Sequence, residues 1–380
     1  MSDDTLNLLS QLVATDSVNP VLVPGGAGEE RIAQVIAAEM RSSGMDVQIT
    51  DAAPHRPNVV GVLDGKSPGR TLMFCGHTDT VGVEGMKAPF TPEVREGRLY
   101  GRGSQDMKGG VAAMLGAARK LASAGGLKAG KLVVAAVADE EHESRGAREL
   151  VKQWRADGAV ISEPTDLEIG VTHRGFSWIK VKTQGVAAHG SRPRDGRDAI
   201  FRMGRVLARL EQLDRELQAR PPHPIQGTAS LHASLIKGGR ELSSYPDQCA
   251  LQFERRTISD EPEGIAMRQI NNILAALKEE DPGFEASANL ILEQSAFEIP
   301  SEHFLTVALR EAILRAGLAP KHGAVSFWTD AAILAGAGIP TVVFGPGGAG
   351  LHSTEEFVYV DQVLACRDVL ADLAAVFCGG

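Results

Sequence analysis

The chain has 380 residues, and 39 lysines and arginines against 48 aspartates and glutamates leave it a formal net charge of −9. At roughly 100–200 residues per domain this length predicts two or three domains, and 43% hydrophobic with 23% charged residues excludes a disordered chain. The acidic balance argues against a nucleic-acid-binding protein. Because the four cysteines lack C-x-x-C spacing and no apolar run approaches the ~20 residues of a membrane span, we expect a reduced, cytoplasmic protein that binds no membrane.

Helical and strand patterns alternate up to residue 170. Apolar residues at helical spacing predict helices over Leu6–Val13, Glu29–Ser43 and Lys108–Ala124. Short apolar runs bounded by Gly, Asp or Pro predict buried strands over Asn58–Leu63, Thr71–Cys75, Leu132–Val137 and Ala159–Ile161. This alternation predicts an α/β domain with a largely parallel sheet.

The middle of the chain has a different pattern of predicted strands and helices, and the α/β pattern returns near the C-terminal end. The middle segment predicts strands and helices in β-α-β-β-α-β order, over Ser177–Gln184, Asp198–Leu217, Ala229–Ile236, Cys249–Arg256, Glu261–Lys278 and Ala286–Leu292. That order is the ferredoxin-like arrangement. After Pro300 the α/β pattern resumes with helices and a strand over Glu302–Ala316, Thr329–Ala335, Thr341–Phe344 and Asp361–Phe377. The sequence therefore predicts a discontinuous α/β domain, 1–174 and 293–380, interrupted by an α+β domain, 175–292.

Histidines and carboxylates follow four of the predicted core strands. In chain order these residues are His77 and Asp79, then Glu140 and Glu141, then Glu163, and finally His352. Because ligands of open α/β sheets bind outside the carboxyl ends of the strands, we expect these side chains to meet in one crevice. Asp106, in the glycine-rich loop before the long helix, can join them.

Such a set of nitrogen and oxygen ligands is typical of a site for Zn²⁺ or a similar divalent ion. Without cations, gathering Asp106, Glu140, Glu141 and Glu163 would cost like-charge repulsion. The spacing of His77 and Asp79 would let the carboxylate orient the ring. Side chains of the adjacent Glu140 and Glu141 diverge, so that one can bind a metal while the other acts as a general base.

Seven segments that run in order along nearly the whole chain carry a resemblance to a known family. They are G-H-T-D-T-V at 76–81, Y-G-R-G-S-Q-D-M-K-G-G at 100–110, D-E-E-H-E-S-R-G-A at 139–147, S-E-P-T at 162–165, A-A-H-G-S-R-P at 187–193, E-R-R-T at 254–257 and G-P-G-G-A-G-L-H-S-T-E-E at 345–356. The chain resembles the di-metal metallopeptidases and deacylases that include acetylornithine deacetylase, succinyl-diaminopimelate desuccinylase, aminoacylase and glutamate carboxypeptidase. The resemblance implies a zinc-aminopeptidase-like catalytic domain with an inserted lid and dimerisation domain.

The resemblance also implies a role for each residue of the crevice. Two divalent ions, zinc with cobalt or manganese as alternatives, would share Asp106, with His77 and Glu163 on one and Glu141 and His352 on the other. In the same way Glu140 would be the catalytic base and Asp79 the residue that orients His77. The implied reaction is hydrolysis of the amide of an N-acyl amino acid, and the S-E-P-T segment favours a deacylase over the alternative, a carboxypeptidase or dipeptidase.

The resemblance assigns three residues to the inserted domain. His189 would stabilise the oxyanion, in the catalytic centre of the partner subunit of a homodimer. Arg256 would bind the substrate carboxylate through a bidentate guanidinium. The alternative for such a residue is an exposed strand arginine paired with a neighbouring acid, and we expect Arg255, which the resemblance does not assign, to fill that role. Ser243 occupies a position where the family often has Asn, and the segment Thr257–Glu261 lacks the usual Pro-Gly, so both departures bear on the substrate.

Two other interpretations compete with the hydrolase. Gly345–Gly350 formally fits the G-x-G-x-x-G fingerprint of a dinucleotide-binding oxidoreductase, but Pro346 interrupts it and no βαβ unit follows. The second alternative, a catalytically dead binding relative, conflicts with the intact ligand set and with Glu140.

Overall fold

The computed structural model describes residues 3–379, which divide into two compact units. The first unit contains the chain up to Val171, then Ile299–Val325 and the stretch from Thr329 onward. The second contains Thr172–Glu298 and Ser326–Trp328. Within residues 3–379, no helix combines the length and the apolar character needed to cross a bilayer.

The described residues form nine helices, several of which begin at an identifiable cap. The helices are α1 Asp4–Ala14, α2 Glu30–Ser42, α3 Gly109–Ser123, α4 Arg145–Gln153, α5 Ala199–Gln218, α6 Ile265–Glu280, α7 Phe304–Arg315, α8 Ala331–Gly336 and α9 Val360–Phe377. The Asp3 and Asp198 side chains cap α1 and α5 by accepting backbone N–H groups. Helix α6 starts four residues after its predicted beginning because Glu261 pairs with Arg255 and Gly264, at φ 70°, forms the cap.

The described residues also form seventeen strands, many of them short. These strands are β1 Asp46–Ala53, β2 Arg56–Asp64, β3 Thr71–His77, β4 Glu93–Arg95, β5 Arg98–Tyr100, β6 Lys131–Val137, β7 Gly158–Ile161, β8 Ile169–His173, β9 Gly175–Gln184, β10 Ser230–Gly238, β11 Gln248–Thr257, β12 Glu285–Gln294, β13 Phe297–Glu298, β14 His322–Ala324, β15 Thr341–Val343, β16 Gly348–Ala349 and β17 Phe357–Tyr359.

The large sheet of the first unit runs β1-β2-β6-β3-β7-β15-β8, with β14 beside β8. Its central strands β6, β3, β7 and β15 are parallel, and they are apolar and almost fully buried, as strands covered on both faces must be. Helix α3 packs against α1 and α9. Since parallel strands end at the same edge, this sheet brings the loops after β3, β6, β7 and β15 together.

A glycine in α3 lets that helix approach the loop after β7. A Cβ atom at Gly110 would lie 1.9 Å from the carbonyl oxygen of Ser162, the residue before Glu163. Only a residue without a side chain fits there, so the small residues of α3 bring the helix against the edge of the sheet where the carboxylates gather.

The second unit is an antiparallel sheet, β10-β11-β9-β12, with α5 and α6 packed on one face. The strands and helices follow in β-α-β-β-α-β order, as the sequence predicts. Alternate residues of β9 and β11 are buried under the helices, Ile179, Val181, Leu251 and Phe253 among them. The intervening residues, such as Trp178 and Arg256, therefore lie on the opposite face of the sheet.

Candidate metal centre

Seven side chains predicted from the sequence lie at the carboxyl edge of the large sheet. They are supplied by His77 at the end of β3, Asp79 just after it, Glu140 and Glu141 after β6, Glu163 after β7, His352 after β15, and Asp106 in the irregular turn Ser104–Lys108. Strand β3 is two residues longer than predicted and includes His77, whose ring is 1% exposed.

Asp106 stands between two pairs of residues. Its Oδ1 lies 3.0 Å from His77 Nε2, and its Oδ2 lies 3.2 Å from His352 Nε2. The His77 Nε2 atom is also 3.5 Å from a Glu163 oxygen, and the His352 Nε2 atom is 3.2 Å from a Glu141 oxygen. Each Asp106 oxygen thus faces its own His–Glu pair, which is the arrangement of a carboxylate shared by two ions.

Glu140 belongs to the His77 side of the cluster. One ligand-type atom from each of His77, Glu140 and Glu163 lies within 4.8 Å of the other two, and the same holds for His77, Asp106 and Glu141. Glu140 and Glu141 thus share His77 as a neighbour, whereas Glu163 lies near Glu140, and Asp106 and His352 lie near Glu141.

The contact between Asp79 and His77 differs from the one expected. The His77 Nδ1 atom lies 3.0 Å from the main-chain oxygen of Asp79, whereas the nearest oxygen of the Asp79 carboxylate is 3.6 Å away. This carboxylate instead accepts the backbone N–H groups of Glu140 and Glu141 and the amide of Asn19. The chain leaves β3 before Asp79, so the strand spacing does not apply. Asp79 therefore contacts the ring through its carbonyl oxygen and the Glu140–Glu141 turn through its side chain.

The acidic side chains of the cluster are buried with few positive partners. Burial raises the pKa of Glu140 and Glu163 well above the ordinary value, and burial with the nearby charge of Asp106 raises the pKa of Glu141 to about 7. Hydrogen bonds to Asp106 and Glu141 raise the pKa of His352 to about 10. Divalent cations would compensate this excess of buried carboxylates, and the mixed imidazole and carboxylate donors fit such ions.

Asp330 is a member of the acidic cluster that sequence reasoning missed. It is 2% exposed, its Oδ1 atom has no hydrogen-bond partner among the described residues, and burial raises its pKa to about 7. It precedes α8, and its charge adds to the raised pKa of Glu140 and Glu163. The predicted helix Thr329–Ala335 has Asp330 in its first turn, where an aspartate is favourable in any helix, so nothing in the sequence pointed to a place in the cluster.

Glu356 is a second residue that sequence reasoning missed. One oxygen of its buried carboxylate accepts hydrogen bonds from the guanidinium of Arg102 at 2.6 Å and from Gly103 N at 3.0 Å. The other accepts the backbone N–H groups of Gln105 at 2.9 Å and Asp106 at 3.1 Å. Glu356 therefore ties the turn that carries Asp106 to the segment that carries His352.

A buried ion-pair network supports the loop after β6. The Arg56 guanidinium donates to both carboxylate oxygens of Glu29 and lies 3.1 Å from an oxygen of Asp139. The Asn19 amide bridges Asp139 and Asp79, at 3.1 and 2.8 Å. The backbone of Glu140 is thus held from two sides, by the network and by Asp79.

Comparison with known proteins assigns the family. A model of peptidase family M20/M25/M40 matches residues 73–376. The chain belongs to this family. An acetylornithine deacetylase from Myxococcus xanthus is 33% identical over 362 residues, covering 90% of this chain and 91% of that protein. The resemblance noted from the motifs is confirmed, and membership makes this M20 chain a metal-dependent hydrolase.

Solved structures confirm the M20 fold. The aminopeptidase PepT from Bacillus cereus ATCC 10987 is 20% identical with a TM-score of 0.80, covering 97% of this chain and 96% of its own. A dinuclear metal binding peptidase of the M20 family from Bacillus subtilis is 16% identical with a TM-score of 0.76, covering 99% and 98% of the two chains. The predicted α/β fold with its inserted α+β domain is therefore correct.

The remaining predicted site residues of this M20 chain lie in the second unit. The Nδ1 atom of the exposed His189 lies 2.8 Å from Ser191 Oγ and 3.2 Å from the Ser191 backbone nitrogen, so these contacts do not use Nε2. Ser243 is exposed beside it, and its carbonyl accepts the Gly190 N–H. Arg256 is partly exposed on β11, whereas the buried Arg255 pairs with Glu261.

The glycine-rich segment after β15 leads to the predicted ligand His352 and opens no helix. Gly345–Gly350 passes through the two-residue strand β16 into the turn that contains His352. A Cβ atom at Gly345 would lie 2.4 Å from the carbonyl oxygen of Glu163, so this glycine permits close packing beside a predicted ligand. The geometry gives no support to a dinucleotide-binding oxidoreductase.

Proposed function

We propose that this chain is a dinuclear metal-dependent deacylase that hydrolyses the amide bond of an N-acyl amino acid. The observation that carries the proposal is the position of Asp106, each of whose oxygens faces a separate His–Glu pair. A pair of divalent ions requires two adjacent sets of ligands that share a bridging group. The two His–Glu pairs with Asp106 between them would provide such sets.

Five residues would hold the two ions in this proposal. His77 and Glu163 would bind one ion, Glu141 and His352 the other, and Asp106 both. The nitrogen and oxygen donors suit zinc, with cobalt and manganese as alternatives. When bound, the ions would polarise the scissile carbonyl and lower the pKa of the attacking water.

The chain's own residues would move the proton and orient the groups. Glu140, held by the Asp79 carboxylate through its backbone N–H at 3.1 Å, would take the proton of the attacking water and pass it to the leaving amine. The main-chain oxygen of Asp79, 3.0 Å from His77 Nδ1, would keep His77 Nε2 directed at its ligand position.

The second unit would supply the residues that bind the rest of the substrate. We propose that His189, whose contacts to Ser191 use Nδ1, donates from Nε2 to the oxyanion that forms on the scissile carbonyl in the partner subunit of a homodimer. Arg256 would bind the substrate carboxylate. Ser243 lies next to the His189 loop, which supports a role in binding but leaves it as a prediction.

A deacylase is favoured over a peptidase by the identity to an acetylornithine deacetylase, which spans 90% of this chain. The two solved peptidase structures described above are 20% and 16% identical to this chain, and they support the fold alone. We also propose a cytoplasmic location, since Cys75, Cys249, Cys366 and Cys378 are buried free thiols.

Replacing the proposed base tests this function. The Glu140→Gln variant should keep its metal content and lose hydrolysis of N-acetyl amino acids by about 10³-fold or more, because it removes proton transfer but no ligand. Metal analysis and initial rates are the measurements. Glu143→Gln, the same change at a more exposed position of the same loop, is the matched control. Unchanged turnover in Glu140→Gln would remove Glu140 from its role, and dipeptide cleavage without N-acyl hydrolysis would favour the peptidase.

A further inference from the structure

An aromatic surface surrounds Arg256 on the open face of the second unit's sheet. We call Phe176, Trp178 and Trp328 the aromatic shelf. The Phe176 ring centroid lies 5.2 Å from that of Trp178 and 6.5 Å from that of Trp328, the latter edge-on at 87°. Trp178 is 44% exposed, although a tryptophan is costly to leave in water. The shelf is therefore a surface suited to an apolar ligand.

Arg256 lies on this shelf with its terminal nitrogens available. Its Cζ atom stands 5.2 Å from the Phe176 ring centroid, and its Nε donates to Glu254 at 2.6 Å. Among the described residues, the side-chain hydrogen bonding of Arg256 uses Nε alone, so both terminal nitrogens can face a carboxylate. The ring and Glu254 fix the direction of the guanidinium.

Glu254 joins Arg256 to the shelf. One oxygen accepts the Arg256 Nε–H and the other accepts the Trp178 indole N–H at 2.7 Å. The strand register agrees, since Glu254 pairs with Trp178 and Arg256 with Phe176. A substrate carboxylate bound by Arg256 would consequently lie beside the exposed indole of Trp178. The side chain of the same amino acid could then contact that indole.

The charges of this face do not suit a cationic side chain. Both oxygens of Glu254 are engaged, and Lys180 and Lys182 follow Trp178 on the same face of β9. An ammonium group such as that of ornithine would meet two lysines and an already paired acid. An aromatic side chain would instead stack on the indole and remove apolar surface from water.

We propose that the aromatic shelf is the side-chain subsite of the substrate, and that the enzyme prefers N-acyl derivatives of aromatic amino acids. The proposal rests on the proposed deacylase function and on Arg256 as the carboxylate-binding residue. It names the substrate class by its chemistry: a free carboxylate next to an aromatic side chain.

The first test compares three substrates on the metal-loaded, full-length enzyme. N-acetyl-L-phenylalanine should be hydrolysed with a kcat/KM about 10-fold or more above those of N-acetyl-L-alanine and N-acetyl-L-ornithine. A higher kcat/KM for either of the other two would overturn the shelf but leave the deacylase standing. Failure to hydrolyse any of the three would overturn the proposed function, and this inference with it.

The second test alters the shelf itself. Trp178→Ala should lower kcat/KM for N-acetyl-L-phenylalanine about 10-fold, chiefly through KM, and change N-acetyl-L-alanine less than about 2-fold. Trp178→Phe, which keeps a ring but loses the hydrogen bond to Glu254, should retain the preference. Leu290→Ala removes a side chain of similar exposure, 43%, from β12 and serves as the control. An undiminished aromatic preference in Trp178→Ala would contradict the proposal.

Discussion

The Glu356 carboxylate supports the turn that carries Asp106. Neither its place in the sequence nor its residue type predicts this role. It accepts a guanidinium and three backbone N–H groups around the Asp106 turn, and it is 1% exposed. Asp106 in turn has one oxygen for each His–Glu pair. At the residue scale, the geometry of the proposed di-metal site depends on a side chain that is not itself a ligand.

Replacing Glu356 should therefore weaken metal binding. Glu356→Gln removes one acceptor and the charge facing Arg102, so the turn carrying Asp106 loses its support, and we expect about 10–100-fold weaker metal affinity. Titration against a competing chelator measures it. Glu355→Gln, at the adjacent exposed position, should change the affinity little. Equal metal affinities for the two variants would show that the Glu356 contacts do not support the site.

At the scale of elements, α3 and the loop after β7 meet at a point with no room for a side chain. Gly110 lies in a helix, where alanine is normally favoured by about 1 kcal/mol. Its absent Cβ would be 1.9 Å from Ser162 O, next to Glu163. Apart from its chain neighbours and the backbone of its own helix, no heavy atom of the described residues lies within 4 Å of an ideal Cβ at Gly204 in α5. Comparing alanine substitutions at these two glycines therefore distinguishes the effect of helix propensity on stability from the effect of packing.

The two substitutions should shift stability in opposite directions. Gly204→Ala should be neutral or stabilise by up to about 1 kcal/mol. Gly110→Ala should destabilise by about 1–3 kcal/mol and reduce the metal content, because α3 or the Glu163 loop must move. Urea unfolding and metal analysis provide the readings. A Gly110→Ala variant as stable as Gly204→Ala would show that α3 does not position the loop.

The sequence predicted the strands that precede the proposed metal ligands. It did not predict the edge strand β1 or the contacts of Glu356 that support the Asp106 turn. Buried strands such as β3 and β6 have continuous apolar runs, so their ends and the acidic residues after them could be located. Strand β1 was missed because its residues are largely polar and half-exposed at the sheet edge. Glu356 and Asp106, which are in contact, lie 250 residues apart in the sequence, and no local sequence pattern predicts a contact between residues so far apart.

At the scale of the whole molecule, the second unit carries a surface suited to association with another copy. Strand β10 is an edge of its sheet, and Leu235 and Ile236 on it are 64% and 56% exposed. Unpaired backbone groups and apolar side chains on an edge strand favour pairing with a second strand. This supports the proposed homodimer, in which His189 of each chain serves the other chain's site.

A mixed dimer tests that exchange. One chain carries Glu140→Gln and the other His189→Ala, each with a different affinity tag, and only heterodimers are purified. If His189 acts in the partner's site, one of the two centres has both residues intact, and activity should be about half that of the wild-type dimer. Either homodimer of a single variant should be nearly inactive. A mixed dimer no more active than its parents would contradict action across subunits.

The cluster around Asp106 is proposed to bind two divalent ions that support amide hydrolysis, and metal reconstitution tests this binding most directly. Zinc is titrated into chelator-stripped enzyme while the initial rate of N-acetyl amino acid hydrolysis is measured. We predict negligible activity in the stripped enzyme and a rate that saturates at about two equivalents per chain. Full activity without metal, or no hydrolysis at any metal content, would contradict the account.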